Sequence, residues 1–190
     1  MELLTGIFSA FGLSASAGLN AYIPLLVIAL LARFTDLVKL SHPWDTLTSW
    51  WVIGLLVVLS VIEFFADKFP AVNHINDVIQ TFVRPVAGAI LFAASAKVFS
   101  DVHPILAMGA GILVAGGVHA VKSVAIRPAV TATTGGAGNI PVSIFEDLIS
   151  TILSIISIII PLLIAMLVIL FTSWVVWWLW RKANRIQATS

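Results

Sequence analysis

The apolar run from Val142 to Trp180 holds only two charged residues, Glu146 and Asp147, and is too long for one ordinary membrane span. Shorter apolar runs precede it along most of the chain. Charged residues make up 10% of the 190 residues, where a soluble domain of this length carries roughly 25%. Hydrophobic residues make up 60%, and mean hydropathy is +1.09. An integral membrane protein is expected, with residues 1–190 forming a single transmembrane domain, because no stretch is polar enough to fold outside the bilayer. The expected fold class is all-α: a polytopic transmembrane helix bundle of five to seven membrane segments, two of them broken or re-entrant.

The net charge of +1 gives no case for nucleic-acid binding. Cysteine is absent, so disulfides, thiolate nucleophiles, iron–sulfur clusters and palmitoylation are excluded. The N-terminal stretch resembles a signal peptide in hydropathy. It lacks a basic n-region, and its apolar run continues past any small-residue cleavage site, so it reads as mature membrane segment.

Residues 3–33 are apolar but interrupted by SASAGLNAYIP at 14–24. Pro24 lacks an amide donor and disfavours helix at Ile23, so a break is expected. It is either the unwound middle of one span or the turn of a re-entrant pair of half-helices, and such backbone needs cover from protein or a water-filled cavity. Residues 34–49 read as a polar loop, with Trp44, Trp50 and Trp51 marking an interface. Residues 50–66, 77–99 and 103–126 read as spans, with Lys68 to Asn76 as a short connection broken by Pro70. Pro85 predicts a kink or local opening beside Arg84. Ala107, Gly111 and Ala115 repeat every four residues and continue to His119, a ridge suited to close helix packing.

Residues 127–141, RPAVTATTGGAGNIP, read as a second long break. The run 142–180, divided by Pro161, reads as one long kinked helix or as two spans. Trp174, Trp177, Trp178 and Trp180 form an aromatic belt beside Arg181, Lys182 and Arg185, which puts the C-terminus in the cytoplasm. The chain also echoes itself. Gly18-Leu-Asn20-Ala-Tyr-Ile-Pro24 resembles Gly136-Ala-Gly-Asn139-Ile-Pro141, and Val83-Arg84-Pro85 resembles Ile126-Arg127-Pro128. Paired breaks point to transporters built from internal repeats.

Charge is scarce yet gathers in Glu63 to Gly88, which carries Glu63, Asp67, Lys68, His74, Asp77 and Arg84. Each ionisable group at membrane depth costs about 2.5–3.5 kcal/mol on insertion scales, so such groups persist where they face a partner, a cavity or a substrate. On helices, Glu63 and Asp67 share one face, and Asp77, Thr81, Arg84 and Gly88 form one stripe. Arg84 and Asp77 suit an anion site; equally, Arg84 reaching Asp67 or Glu63 would make a structural ion pair. Asn20 and Asn139 would shape a site in the two breaks or cap the half-helices that follow. Glu146 and Asp147 suit the positive N-terminal end of a helix. His119 and Lys122 on the fourth span would complete the polar centre. His74 with Asp77 is too sparse for a metal site, and no Walker loop, serine triad or zincin motif is present.

The motifs G-x-N-A-Y-x-P near the N-terminus, E-x-x-x-D-K-x-P and D-x-x-x-T-F-x-R-P-x-x-G in the centre, and T-G-G-x-G-N followed by a Pro and an acidic pair resemble a family of small bacterial integral membrane proteins catalogued only as a domain of unknown function. The resemblance covers nearly the whole chain and supplies no activity. A more distant similarity, one of logic, is to small bacterial lipid-carrier flippases with an intramembrane Arg beside a Pro.

The expected function is a transporter or flippase for a small anionic solute or lipid headgroup, with proton coupling considered. Arg84, Asp77, Asn20, Asn139, Arg127 and Lys122 would bind the substrate, and Asp67 and Glu63 would move the proton. No cofactor, metal or enzymatic activity is expected. The expected partners are membrane lipids and the anionic substrate; a homo-oligomer stays open. The expected location is the bacterial inner membrane, multi-pass. The alternatives are a small homo-oligomeric ion channel or a structural membrane protein without transport activity.

Overall fold

A computed structural model describes residues 2–68, 70–99 and 103–187. All regular structure among them is helical. Helix α1 spans Glu2–Leu19, α2 Tyr22–Phe34, α3 Trp50–Ala66, α4 Pro70–Phe99, α5 Pro104–Val121, α6 Arg127–Thr134 and α7 Asn139–Gln187. A short 3₁₀ helix at Trp44–Thr48 precedes α3, and a π-helical segment at Lys122–Ile126 joins α5 to α6. Among the described residues, three stretches are long and apolar enough to cross a membrane: Ile75–Ser95, Pro104–Thr134 and Asn139–Ile160. Gly6–Leu19, Tyr22–Phe34 and Trp50–Ala66 are shorter apolar helices. This is the expected all-α bundle.

Helix α1 sits in the middle, packed on α4, α5 and α7. Its partners fix the directions. Ser14 bonds the Gly88 carbonyl at 2.8 Å while Phe11 meets Phe92, so α1 and α4 run antiparallel. Ser9 bonds Ser157 O at 2.6 Å, Ser16 bonds Ser150 O at 2.7 Å and Ser154 Oγ at 2.6 Å, and Asn20 reaches Asp147, so α7 also runs against α1. Small polar residues let these backbones approach and give each hydroxyl a partner where lipid offers none.

The α4–α5 crossing is closer still. A Cβ on Gly111 would meet Gly88 O and stand 2.7 Å from Ala89 Cα, so only glycine fits. Ala107, Gly111, Ala115 and His119 form the buried face of α5, the ridge expected from their spacing.

The break in residues 3–33 is a reversal. Asp67 pairs with Asn76 and Glu63 with Arg84, so α3 runs against α4 and hence along α1. Helix α2 runs against α3, with Ala21 beside Glu63 and Arg33 against Thr48 and Trp50. It follows that α2 turns back relative to α1 at Asn20 and Ala21. The pair is splayed, because α2 packs mainly on α3 and α7.

Two expectations about boundaries are corrected, and one left open is decided. Pro70 starts α4 instead of breaking a connection, because a first-turn proline gives up no helical hydrogen bond. The 127–141 break shrinks to Gly135–Gly138, as Arg127-Pro128 continues the helix, and Gly135 and Gly136 make the turn at φ 61° and 91°. The final run is one helix through position 161, not two.

Candidate functional site

Asn20–Ala21, Asp67–Lys68 and Gly135–Gly138 lie in the turns between α1 and α2, α3 and α4, and α6 and α7, and all are at one end of the bundle. The charged residues collect just inside that end. The thirteen steps from Trp50 to Glu63 rise roughly 20 Å along α3, so the cluster stands well away from the tryptophan-marked end.

The innermost part is a set of fully buried ion pairs. Arg84, with 0% side-chain exposure, gives Nη2 to Glu63 Oε1 at 2.9 Å and stands 3.7 Å from Asp67 Oδ2. Its Nη1 lies 3.0 Å from His119 Nδ1, and His119 Nε2 lies 3.1 Å from Thr81 Oγ1. Lys122, 1% exposed, pairs with Glu146 at 2.8 Å and Asp67 at 3.6 Å. Arg127 bridges Asp67 at 2.9 Å and Glu146 at 3.2 Å. Lys68 pairs with Asp147 at 3.2 Å and lies over the Phe64 ring. Asp67 also accepts from Asn76 at 2.6 Å. Five acids (Glu63, Asp67, Asp77, Glu146, Asp147) thus meet four cations (Lys68, Arg84, Lys122, Arg127). Desolvated charges persist in such a place only when each has a partner.

The same network holds the α1–α2 reversal. The Ala21 amide donates to Glu63 Oε2 at 3.2 Å, the Leu19 carbonyl accepts from Lys122 at 3.0 Å, and the Tyr22 and Ile23 amides donate to Asn20 Oδ1. Asn20 Nδ2 then bonds Asp147 at 2.9 Å. Asn20 therefore caps α2 and ties it to α7 at once. Unwound backbone at membrane depth is stable here because charged side chains take over its hydrogen bonds.

Arg127 reaches the cluster through the π-helical segment. Five residues separate it from Lys122. At 100° each in an α-helix the two would point about 140° apart. A π turn takes one residue more, so roughly 80° each, and brings them within about 40°. The Arg127 amide donates to Lys122 O, five residues back. Pro128 follows directly, a residue that cannot donate and crowds the preceding turn.

Outside this core lies an open cavity of about 750 Å³. Its charged lining is Asp67, Lys68, Asp77 and Arg127, with Ser123, Thr131 and Asn139 as neutral polar groups. The Asp77–Arg127 pair in its wall is loose, with Nη1 4.0 Å from Oδ1, and that oxygen has no hydrogen-bond partner in the structure. The Asp77 side chain is 23% exposed, against 2% for Asp67.

The chain matches, over residues 7–182, the family described as "Domain of unknown function (DUF4126)". It belongs to that family. Nothing among curated proteins or solved structures matches it.

In this DUF4126 protein the residues singled out from sequence fall into two groups. Arg127, Asp67, Asp77 and Asn139 line the cavity, while Arg84, Glu63, Lys122 and Asn20 close the network behind it. Arg84 pairs with Glu63 and Asp67, and the acid on its own stripe, Asp77, turns to Arg127. Asn139 bonds Thr131 Oγ1 at 2.9 Å, eight residues back across the glycine turn. Glu146 and Asp147, read as first-turn charges, stand further along α7 and complete the network. Lys68, in the cavity wall, carried no role in the sequence reading; its place beside Asp67 at the end of an apolar run was the available signal. Among the described residues no group of three metal-ligating side chains is present, and the His74 side chain lies outside them.

Proposed function

We propose that this membrane protein is a transporter or flippase that carries a small anionic solute, or the anionic group of a lipid headgroup, with a coupled proton. The observation that carries it is the cavity whose wall is the outer layer of a buried charge network. A guest there meets Arg127 and Lys68 directly. An anion adds to a cluster that already has one acid more than it has cations, so it is favourable only with a proton, and Asp77 is the carboxylate best placed to take one. Arg84, Glu63, Lys122 and Asn20 then form the rigid frame. The α1–α2 reversal is the element whose backbone answers directly to the network's charge.

A bacterial inner-membrane orientation with the C-terminus in the cytoplasm fits the charge distribution. The remaining six Lys and Arg residues (Arg33, Lys39, Lys97, Arg181, Lys182 and Arg185) lie toward the end away from the cavity. The cavity would then open to the outer side.

The test is anion-dependent proton flux in liposomes holding the purified protein. Asp77→Asn and Arg127→Ala should abolish it, with Asp45→Asn and Lys39→Gln fully active. Loss of flux in the second pair with activity retained in the first would overturn the assignment. A purely structural role is favoured by the short pairs that Arg84, Lys122 and Arg127 make with Glu63, Glu146 and Asp67. In that case wild-type liposomes show no flux, and the variants change only the unfolding temperature.

A further inference from the structure

The cavity wall carries charge of both signs in equal number: Asp67 and Asp77 against Lys68 and Arg127. These come from the α3–α4 turn, from α4 and from α6, so the fold brings them together. Each cation of the network has an acid at 2.8 to 3.2 Å, with second contacts to Asp67 at 3.6 and 3.7 Å, whereas Asp77 and Arg127 stand 4.0 Å apart. The pair is too long for a hydrogen bond. One Asp77 oxygen is left without a donor, and a guanidinium edge lies across from it.

We infer that the guest is a zwitterion, with a primary ammonium within a few bonds of a carboxylate or phosphate, whose anionic group sits on Arg127 and Lys68 and whose ammonium donates to Asp77. Resting on the transport site proposed above, this names its substrate class. A simple anion would raise the cluster's imbalance from one excess negative charge to two, at low local dielectric where such charge is costly. A zwitterion leaves the balance unchanged, because it carries on its nitrogen the proton that an anion must bring separately. It also gives the Asp77 carboxylate, whose side chain is 23% exposed and whose buried Oδ1 has no donor, a charged donor on its open side, and charge-assisted hydrogen bonds are the stronger kind. The shared chemistry has two sources, a free amino acid and an ethanolamine-phosphate lipid headgroup.

The test is calorimetric titration of the purified full-length protein in detergent. Glycine is compared with acetate and methylamine, and the phosphodiester glycerophosphoethanolamine (the phosphoethanolamine set) with dimethyl phosphate and ethanolamine. At least one zwitterion should bind about ten-fold or more tightly than either of its halves. Asp77→Asn should reduce that zwitterion to the level of its anionic half, and Asp77→Glu should keep the preference. Preference in the glycine set identifies a free amino acid; preference in the phosphoethanolamine set identifies a headgroup. Halves binding as well as the whole in both sets, or a preference that survives Asp77→Asn, would overturn the inference. Flux in liposomes separates the two proposals. Anion flux without zwitterion preference removes the substrate class and leaves transport standing. Zwitterion preference without flux removes transport and keeps the site.

Discussion

The chain uses the dipeptide Arg-Pro twice inside a membrane helix, and the two copies come out differently. At Arg84-Pro85 helix α4 runs on, and the guanidinium is fully enclosed by Glu63, Asp67 and His119. At Arg127-Pro128 the helix first widens into a π-helical turn, and the guanidinium ends in a cavity wall. Both arginines share one acid, Asp67, which sits between them. The surroundings account for the difference in exposure. Arg84 lies one turn from the Gly88–Gly111 crossing, where backbones touch and no space remains. Arg127 shares an open cavity with Gly135 and Gly136 of the glycine turn at the far end of α6.

That contrast can be broken at several points. The largest effect is expected from Arg84→Ala, which leaves Glu63 and a share of Asp67 buried without a counter-charge. A loss of about 3–5 kcal/mol is expected, read as a collapse of the unfolding temperature or failure to accumulate folded protein. Gly111→Val comes next, because its side chain must push Gly88 and Ala89 backbone away. A cost of about 3 kcal/mol or more is expected, with Gly109→Val, whose site is open, as the near-neutral control. Arg127→Ala should be milder, about 1–3 kcal/mol, since Asp67 keeps Lys122, Arg84 and Asn76 and the cavity admits water.

Pro128→Ala sharpens the comparison. It permits a regular helix, so Arg127 would rotate away from Asp67 and Glu146. Flux should fall several-fold with little change in stability, whereas Pro85→Ala should leave flux intact. Equal effects at both prolines would mean that the π-helical turn has no part in aiming Arg127. The smallest effect on folding belongs to Asp77→Asn, within about 0.5 kcal/mol in thermal unfolding, because its Oδ1 accepts no hydrogen bond and its pair with Arg127 is 4.0 Å long.

Much of the site was legible from residue spacing. The ridge Ala107, Gly111, Ala115 and His119 follows helical periodicity, and it became the α5 face packed on α4. Asn20 beside Pro24 marked a break, and the break is there. The scarcity of charge made each ionisable residue conspicuous, so all the arginines and lysines of the network except Lys68 drew attention. What the spacing concealed was the pairing. Asp77 and Arg84 share a stripe on α4, yet each finds its closest partner on another helix. A stripe constrains direction only within one element, whereas an ion pair forms between whichever elements the fold brings within a few ångströms. The π-helical turn was equally hidden, since an α-helix continued through Lys122–Arg127 would send the two cations to different faces.

Composition and the lengths of the apolar runs were enough to make this chain a helical membrane protein, because hydrocarbon accepts few other arrangements of backbone. Glycine and proline positions were enough to place most of the interruptions. Whether the first interruption was an unwound span or a reversal required the folded chain. So did the division of the charges into an enclosed frame and a cavity wall. Those outcomes depend on contacts between different helices, from Arg84 with Glu63, 21 positions apart, to Asn20 with Asp147, 127 positions apart, and local propensity carries no information about them.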